Sequence, residues 1–454
     1  MQYQGDSASS GYAAVLTDPF RMRTRWTVPA DIGTTSSAVV DPTLKAIYLC
    51  DTTGHLWRFD DGGGHGTAHW SRTVAENAYG FTPAVDRAGR IYAIFKWGQF
   101  PDWHGVLVCF TPDGVEQWRY EPPPFTSANL PSFLGGGPKI WQQPDGTLRI
   151  FFILFWLDYN NDLYHSLVVV VNEQGIPQST AELGSALIFD AHGGGGFRLR
   201  PPSRNPLAGT SAGDEGPQIA GVAPSGGSDF VGLPPETILP WGGSAVFDDG
   251  PLDQPVIVAT DGAGNIGAWR WKDLAGFLPL WLKHYDDGGT SPPAVLPNGL
   301  LAVGGADSVV RLLDPMSGDE FHPWPKLDGR VWAPPASFMR QLYVGSMGGD
   351  FAMIDSNGTV VRKAYLGGAC ATPAIVTGSS VFVYSANGLY GFDLFLNKIA
   401  EIHFLGDMGQ SSPAIGQDGT IYLVVEGRLQ ALAADPSVMR ITDSLNPARN
   451  FRTE

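Results

Sequence analysis

The chain has 454 residues, with 58 Gly, 36 Pro, 14 Trp and 24 Phe, and only 16% of them are charged. Gly and Pro at this density exclude coiled coils and long helices, the aromatic content excludes a disordered chain, and the lack of a three-residue Gly period excludes a collagen. A formal net charge of −16 disfavours nucleic acid and anionic membrane surfaces, which both call for clustered Lys and Arg.

Length alone suggests about three domains, and internal repeats replace that expectation. Met1 is followed by polar Gln2, Tyr3, Gln4, Gly5 and Asp6, so no signal peptide is expected. Thr24-Arg25-Trp26-Thr27-Val28 reads as a strand. After it a motif recurs in which small or Pro residues precede Ala and an aliphatic. The copies are Ser36-Ser37-Ala38-Val39, Thr82-Pro83-Ala84-Val85, a degenerate Gly137-Pro138-Lys139-Ile140, Gly243-Ser244-Ala245-Val246 and Pro292-Pro293-Ala294-Val295. Pro334-Pro335-Ala336-Ser337, Thr372-Pro373-Ala374-Ile375 and Ser412-Pro413-Ala414-Ile415 complete the series. Most steps lie near about 40–50 residues, the range of propeller blades. The step from Lys139 to Ala245 is about twice as long.

Each copy leads into the same succession of turns and strands. In the sixth, Leu342-Tyr343-Val344-Gly345, a Gly348-Gly349 turn and Phe351-Ala352-Met353-Ile354-Asp355 precede Asn357-Gly358, a hairpin signal. β-branched and aromatic residues fill these runs and suit a half-buried pleated surface. Four short strands per copy make a propeller blade. The Gly and Pro excess then belongs to tight turns, several per blade. The last copy ends near Ala434-Asp435-Pro436 without a good fourth strand. The 24–28 strand is therefore expected to complete blade eight and close the ring, because an open edge invites aggregation. The expected fold is all-β: one eight-bladed propeller of four-stranded antiparallel blades over residues 1–436. An insertion at about 180–240 lies between blades three and four, and 437–454 form a surface tail.

The repeats resemble those of the quinoprotein (PQQ)-like eight-bladed propellers. There S-P-A-V, a strand, a turn and L-Y-A-L-D lead through a T-G turn to a Trp that docks on the next blade. Here Arg311-Leu312-Leu313-Asp314-Pro315-Met316-Ser317-Gly318 leads to Trp324, and Thr111-Pro112-Asp113-Gly114 leads to Trp118; Trp70 and Trp281 hold similar places. The opening segment Gln4-Gly5-Asp6-Ser7-Ala8-Ser9-Ser10-Gly11-Tyr12 is also similar. The resemblance implies a fold more than a chemistry. Quinoprotein dehydrogenases hold pyrroloquinoline quinone between a Trp and a vicinal Cys pair, beside Ca²⁺ and a catalytic Asp. Cys50, Cys109 and Cys370 are not adjacent, so no cofactor is expected. For location, the resemblance implies the periplasm or exterior if a leader has been removed, and the cytoplasm otherwise.

Three departures from the repeat suggest a site. They are the stretch from Lys96 to His104 with Trp97 and Trp103, the stretch from Asp158 to His165 with Tyr159 and Tyr164, and the insertion with His192 and Arg198. Second-to-third strand loops and inter-blade links share one face, so all three should lie together, and loops often carry function. The expected binding set is Trp97, Trp103, His104, Tyr159, Tyr164, His165, His192 and Arg198, with a protein partner or small ligand. A second reading is that the insertion merely covers one rim.

Other motifs fail as sites. Asp158-x-Asn160-x-Asp162 lacks the Gly and Glu of a calcium loop. His65 and His69 sit in a Gly-rich turn, so zinc is not expected. Gly193 to Gly196 follow no strand-to-helix pattern. The apolar run Phe151 to Leu157 is too short for a membrane span. The favoured function is a non-catalytic binding scaffold. The alternative is an enzyme with a central-funnel site, either a quinone-dependent dehydrogenase or a lyase or hydrolase.

Overall fold

The computed structural model describes residues 12–13, 22–28, 36–41, 46–99, 102–123, 132–143, 145–158, 163–187, 243–248, 254–261, 264–273, 275–285, 291–296, 298–404 and 411–434. Among them there is no helix. The strands form eight antiparallel sheets arranged as a ring. Each inner strand contains part of a copy of the sequence motif, and in blade three the strand starts before the copy, at Ser132.

Blade one consists of Val39–Asp41, Ala46–Cys50, His55–Asp61 and Gly66–Thr73, paired in that order. Blade three is the tallest, built from Ser132–Gln142, Leu148–Asp158, Leu163–Asn172 and Pro177–Leu187. Blade five is short, and its second strand is only Leu301–Gly304. At about 3.3 Å per residue, the 11-residue second strand of blade three is more than twice as long as the 4-residue strand of blade five.

Second strands are buried over most of their described length, and entirely in Pro255–Thr260 and Ser380–Ser385. They pack against neighbouring blades on both sides, which is why they read as continuous apolar runs and not as alternating ones. Fourth strands such as Val360–Tyr365 face solvent and are more polar. Eight apolar clusters follow the eight seams. One joins Phe59 of blade one to Tyr422 of blade eight, and another joins Ile94 of blade two to Phe152 of blade three.

The ring closes as the sequence suggests. Met22–Thr27 pairs antiparallel with Arg428–Ala434 as the outer strand of blade eight, with Thr27 opposite Gln430. A second contribution of the N-terminal segment is not legible in the repeats. Tyr12–Ala13 adds to the inner edge of blade seven, parallel to Ile375–Thr377.

Tryptophans lock successive blades at one recurring place. Trp70 Nε1 donates to the Pro112 carbonyl at 3.0 Å, Trp118 Nε1 to Glu173 at 2.8 Å and Trp281 Nε1 to Pro315 at 2.9 Å. Each acceptor lies in the third-to-fourth strand turn of the next blade. A β-bulge precedes each Trp and turns its ring toward that neighbour. The turn glycines make room for the rings. A Cβ on Gly175, whose φ is +76°, would stand 2.5 Å from the Trp118 ring.

Trp26 is a fourth member that the repeat reading does not assign. It follows a bulge in the closing strand and donates to Asp61 of blade one at 3.0 Å. Trp324 departs from the expected docking role. Its ring turns back to stack on His322 at 4.4 Å and lies 5.2 Å from the Arg311 guanidinium. The Pro323 carbonyl takes its place against Gly358 of blade six.

The insertion leaves blade three after Leu187 and returns at Gly243. Residues 180–187 of the expected insertion are the end of a strand. Residues 188–242, with His192 and Arg198, and the tail at 437–454 lie outside the described residues.

Candidate functional site

In an antiparallel four-stranded blade the second-to-third turn and the link to the next blade emerge on one face. The expected loops of blades two and three emerge there, but their described residues stand on paired strands. Ile91–Gln99 and Asp102–Phe110 pair up to Gln99 opposite Asp102, so Trp97, Trp103 and His104 stand on strands. Leu148–Asp158 and Leu163–Asn172 pair up to Asp158 opposite Leu163, so Tyr164 and His165 do too.

Strand alternation then divides the expected residues. On blade two, Phe95 and Val106 pack toward blade one, and Trp97 and His104 continue that face. His104 is exposed and directly opposite Trp97, and the two rings stack at 5.6 Å with 19° between planes. Ile94 and Leu107 pack toward blade three, and Lys96 and Trp103 continue that face. Trp103 is buried and joins the apolar cluster containing Phe155 and Trp271. The Lys96 ammonium lies 4.8 Å from its ring centroid, a cation–π contact.

On blade three, Phe152, Leu154 and Trp156 turn toward blade two, while Phe151, Ile153 and Phe155 turn toward blade four. His165 lies opposite Trp156. Their rings are nearly parallel, 4.1 Å apart with 6° between planes. His165 Nδ1 lies 3.5 Å from Glu182 Oε1, on the outer strand. That hydrogen bond holds the Glu182 carboxyl below its ordinary range, outweighing partial burial. Lys96, Trp156, His165 and Glu182 thus belong to the faces of blades two and three that meet, whereas Trp103 packs with the cluster of the blade three–four seam. Trp156 and Glu182 are missing from the sequence-based set. Trp156 is hidden in a continuous apolar run, and only the hairpin register pairs it with His165.

The seam between blades three and four is built differently. Ser166, next to His165 and on the opposite face, donates to Asp261 Oδ2 at 2.9 Å. Asn265 donates to the same oxygen at 2.6 Å, and His284 Nδ1 lies 2.8 Å from Asn265 Oδ1. Ser166, Asp261 and Asn265 are all buried. This polar chain ties together the two blades between which the insertion leaves and returns.

Of the other expected residues, Tyr164 occupies a strand position opposite Leu157 and Ala186, and Tyr159 lies outside the described residues. The histidine–tryptophan pairing recurs on the same face. His55 and Trp57 of blade one lie 6.0 Å apart and both reach Asp51, and His322 stacks on Trp324 near blade five.

No protein-family model matches the chain, and no curated protein sequence matches it. Solved structures are similar in fold. The quinohemoprotein alcohol dehydrogenase of Comamonas testosteroni is 11% identical with a TM-score of 0.59, covering 96% of this chain and 81% of that one. The C-terminal WD40 domain of Sif2 is 12% identical with a TM-score of 0.56, covering 92% and 100%. Sqt1 of Saccharomyces cerevisiae is 10% identical with a TM-score of 0.54, covering 90% and 98%. At these identities the likeness concerns the fold alone: the chain is an eight-bladed β-propeller.

The residues present do not fit the quinone site of such dehydrogenases. Cys50, Cys109 and Cys370 are buried in three separate places, and burial pushes the Cys109 and Cys370 thiols up to about 12. Among the described residues no three His, Cys, Asp or Glu gather into a metal-binding group. No helix among them is long and apolar enough to cross a membrane.

Proposed function

We propose that this chain is a non-catalytic binding propeller of the PQQ-like type. It captures a protein or small ligand on the face over blades two to four, where the long hairpins of blades two and three end. The observation that carries this reading is the pair of stacked Trp–His units, Trp97 with His104 and Trp156 with His165, on the two extended hairpins of adjacent blades. Aromatic side chains with polar tips on rigid strands suit recognition, since little conformational entropy is lost on binding.

The test is capture from the native source by immobilised protein, comparing wild type with a His104→Ala/His165→Ala double variant and a Val115→Ala control. Val115 is exposed in a turn on the opposite face. Loss of a specific captured species in the double variant alone, with its melting temperature unchanged, supports the reading. Equal capture by all three proteins overturns it.

A further inference from the structure

The two stacked pairs are not equivalent. His165 is held by three constraints: the strand register, the parallel Trp156 ring at 4.1 Å, and the Glu182 carboxylate at Nδ1. An ionised carboxylate only accepts, so Nδ1 carries the proton. In the neutral ring Nε2 is then left with a lone pair. Nε2 is buried and has no hydrogen-bond partner among the described residues. Such an atom is costly, and rotating the ring to relieve it would break the stack and the Glu182 contact.

We propose that His165 Nε2 is the recognition acceptor of a ligand site at the seam of blades two and three. The ligand is a small organic molecule presenting a hydroxyl or N–H donor beside a flat apolar ring. This rests on the reading of the hairpin face as a binding face. The donor completes the His165 hydrogen bonding. The apolar ring suits a seam that carries Trp156. A metal ion fits less well, because no further His, Cys, Asp or Glu complete a binding group among the described residues.

The experiment is NMR of protein labelled with ¹⁵N in the histidine rings, with His165 assigned by the signal missing from His165→Gln. In the free protein Nδ1 should be protonated and Nε2 should show the shift of a bare lone pair. Titration with phenol should move the Nε2 signal by several ppm to saturation. Anisole, with the same ring and no donor, should not. Glu182→Gln, at an exposed position, should weaken the phenol response. A protonated Nε2 in the free protein overturns the proposal. So does an unchanged signal with phenol, the result expected if an internal water already fills the position, or an equal response to anisole. If phenol fails while the His104→Ala/His165→Ala variant still loses its captured species, only this ligand assignment falls.

Discussion

Ring closure makes the sharpest energetic prediction, because one buried side chain, Trp26, joins the closing strand to blade one beside the less buried Arg25. Trp26 is 6% exposed. Its indole donates to Asp61 at 3.0 Å, lies 6.0 Å from the Tyr422 ring and covers Gly66, where an added Cβ would come within 2.4 Å of it. Trp26→Ala removes a buried side chain of the kind whose truncation costs about 3–5 kcal/mol. Asp61 keeps donors from Tyr422 and Gly63, so no second penalty for an orphaned carboxylate adds to this. For a ring of this length melting as one unit, about 4 kcal/mol corresponds to a drop of about 4 °C. The loss should also be local. In hydrogen exchange, amides of Arg428–Ala434 should lose protection in Trp26→Ala but not in Trp118→Ala, which weakens an internal seam. A melting temperature within about 1 °C of wild type, or exchange that rises equally around the ring, would refute the closure argument.

Asp61 gives that seam a pH dependence. Burial raises its carboxyl, but donors from Tyr422, Gly63 and Trp26, together with nearby Arg25, outweigh this and hold it below the ordinary range. Its contribution is therefore complete above the unfolded value of about 3.9 and lost as pH falls through the depressed folded value. Melting temperatures from pH 7 to 2.5 should fall less steeply for Asp61→Asn than for wild type, and parallel curves would remove Asp61 from the acid transition. At the blade three–four seam, Asp261→Ala takes the shared acceptor from Ser166 and Asn265 and should cost about 2–4 kcal/mol in urea unfolding; a loss below about 1 kcal/mol would mean the network holds nothing. Gly175→Ala forces a Cβ onto Trp118 at a φ of +76° and should destabilise by more than about 1 kcal/mol, again read by urea unfolding. The buried thiols Cys50, Cys109 and Cys370, all raised by burial, should resist a disulfide reagent at pH 8 until the chain is unfolded, and rapid labelling of any one would contradict its burial.

The blade count and the ring closure are legible because each repeat carries its own turn chemistry. Ala-aliphatic motifs mark inner strands, and Gly, Asn and Asp mark turns. The parallel strand Tyr12–Ala13 is not legible, because two residues carry no periodic signal. Trp324 is misread for a related reason. Spacing from the preceding turn gives it the place of Trp70 and Trp118, but Pro323 takes the docking contact and the Arg311 guanidinium draws the Trp324 ring away. Spacing counts residues along a strand; a docking contact also depends on where the bulge falls.

The same limit governs the candidate site. Sequence proximity groups Trp97, Trp103 and His104, but a one-residue step on a strand reverses the face. Trp97 and His104 pack toward blade one, and Trp103 toward blade three. Conversely, Trp156 and His165 are nine positions apart in sequence and share one stack, because the pairing of Leu148–Asp158 with Leu163–Asn172 sets them opposite each other. The distinction bears on chemistry. A set read as one cluster of aromatic anchors is two separate stacked pairs at successive seams, and only the blade-three pair has a carboxylate that fixes which ring nitrogen remains to be filled. On the proposed binding face, selectivity would therefore rest on His165 and Glu182 more than on the number of exposed rings. Removing His104 should weaken binding through lost contact area, and removing His165 should change which ligands bind.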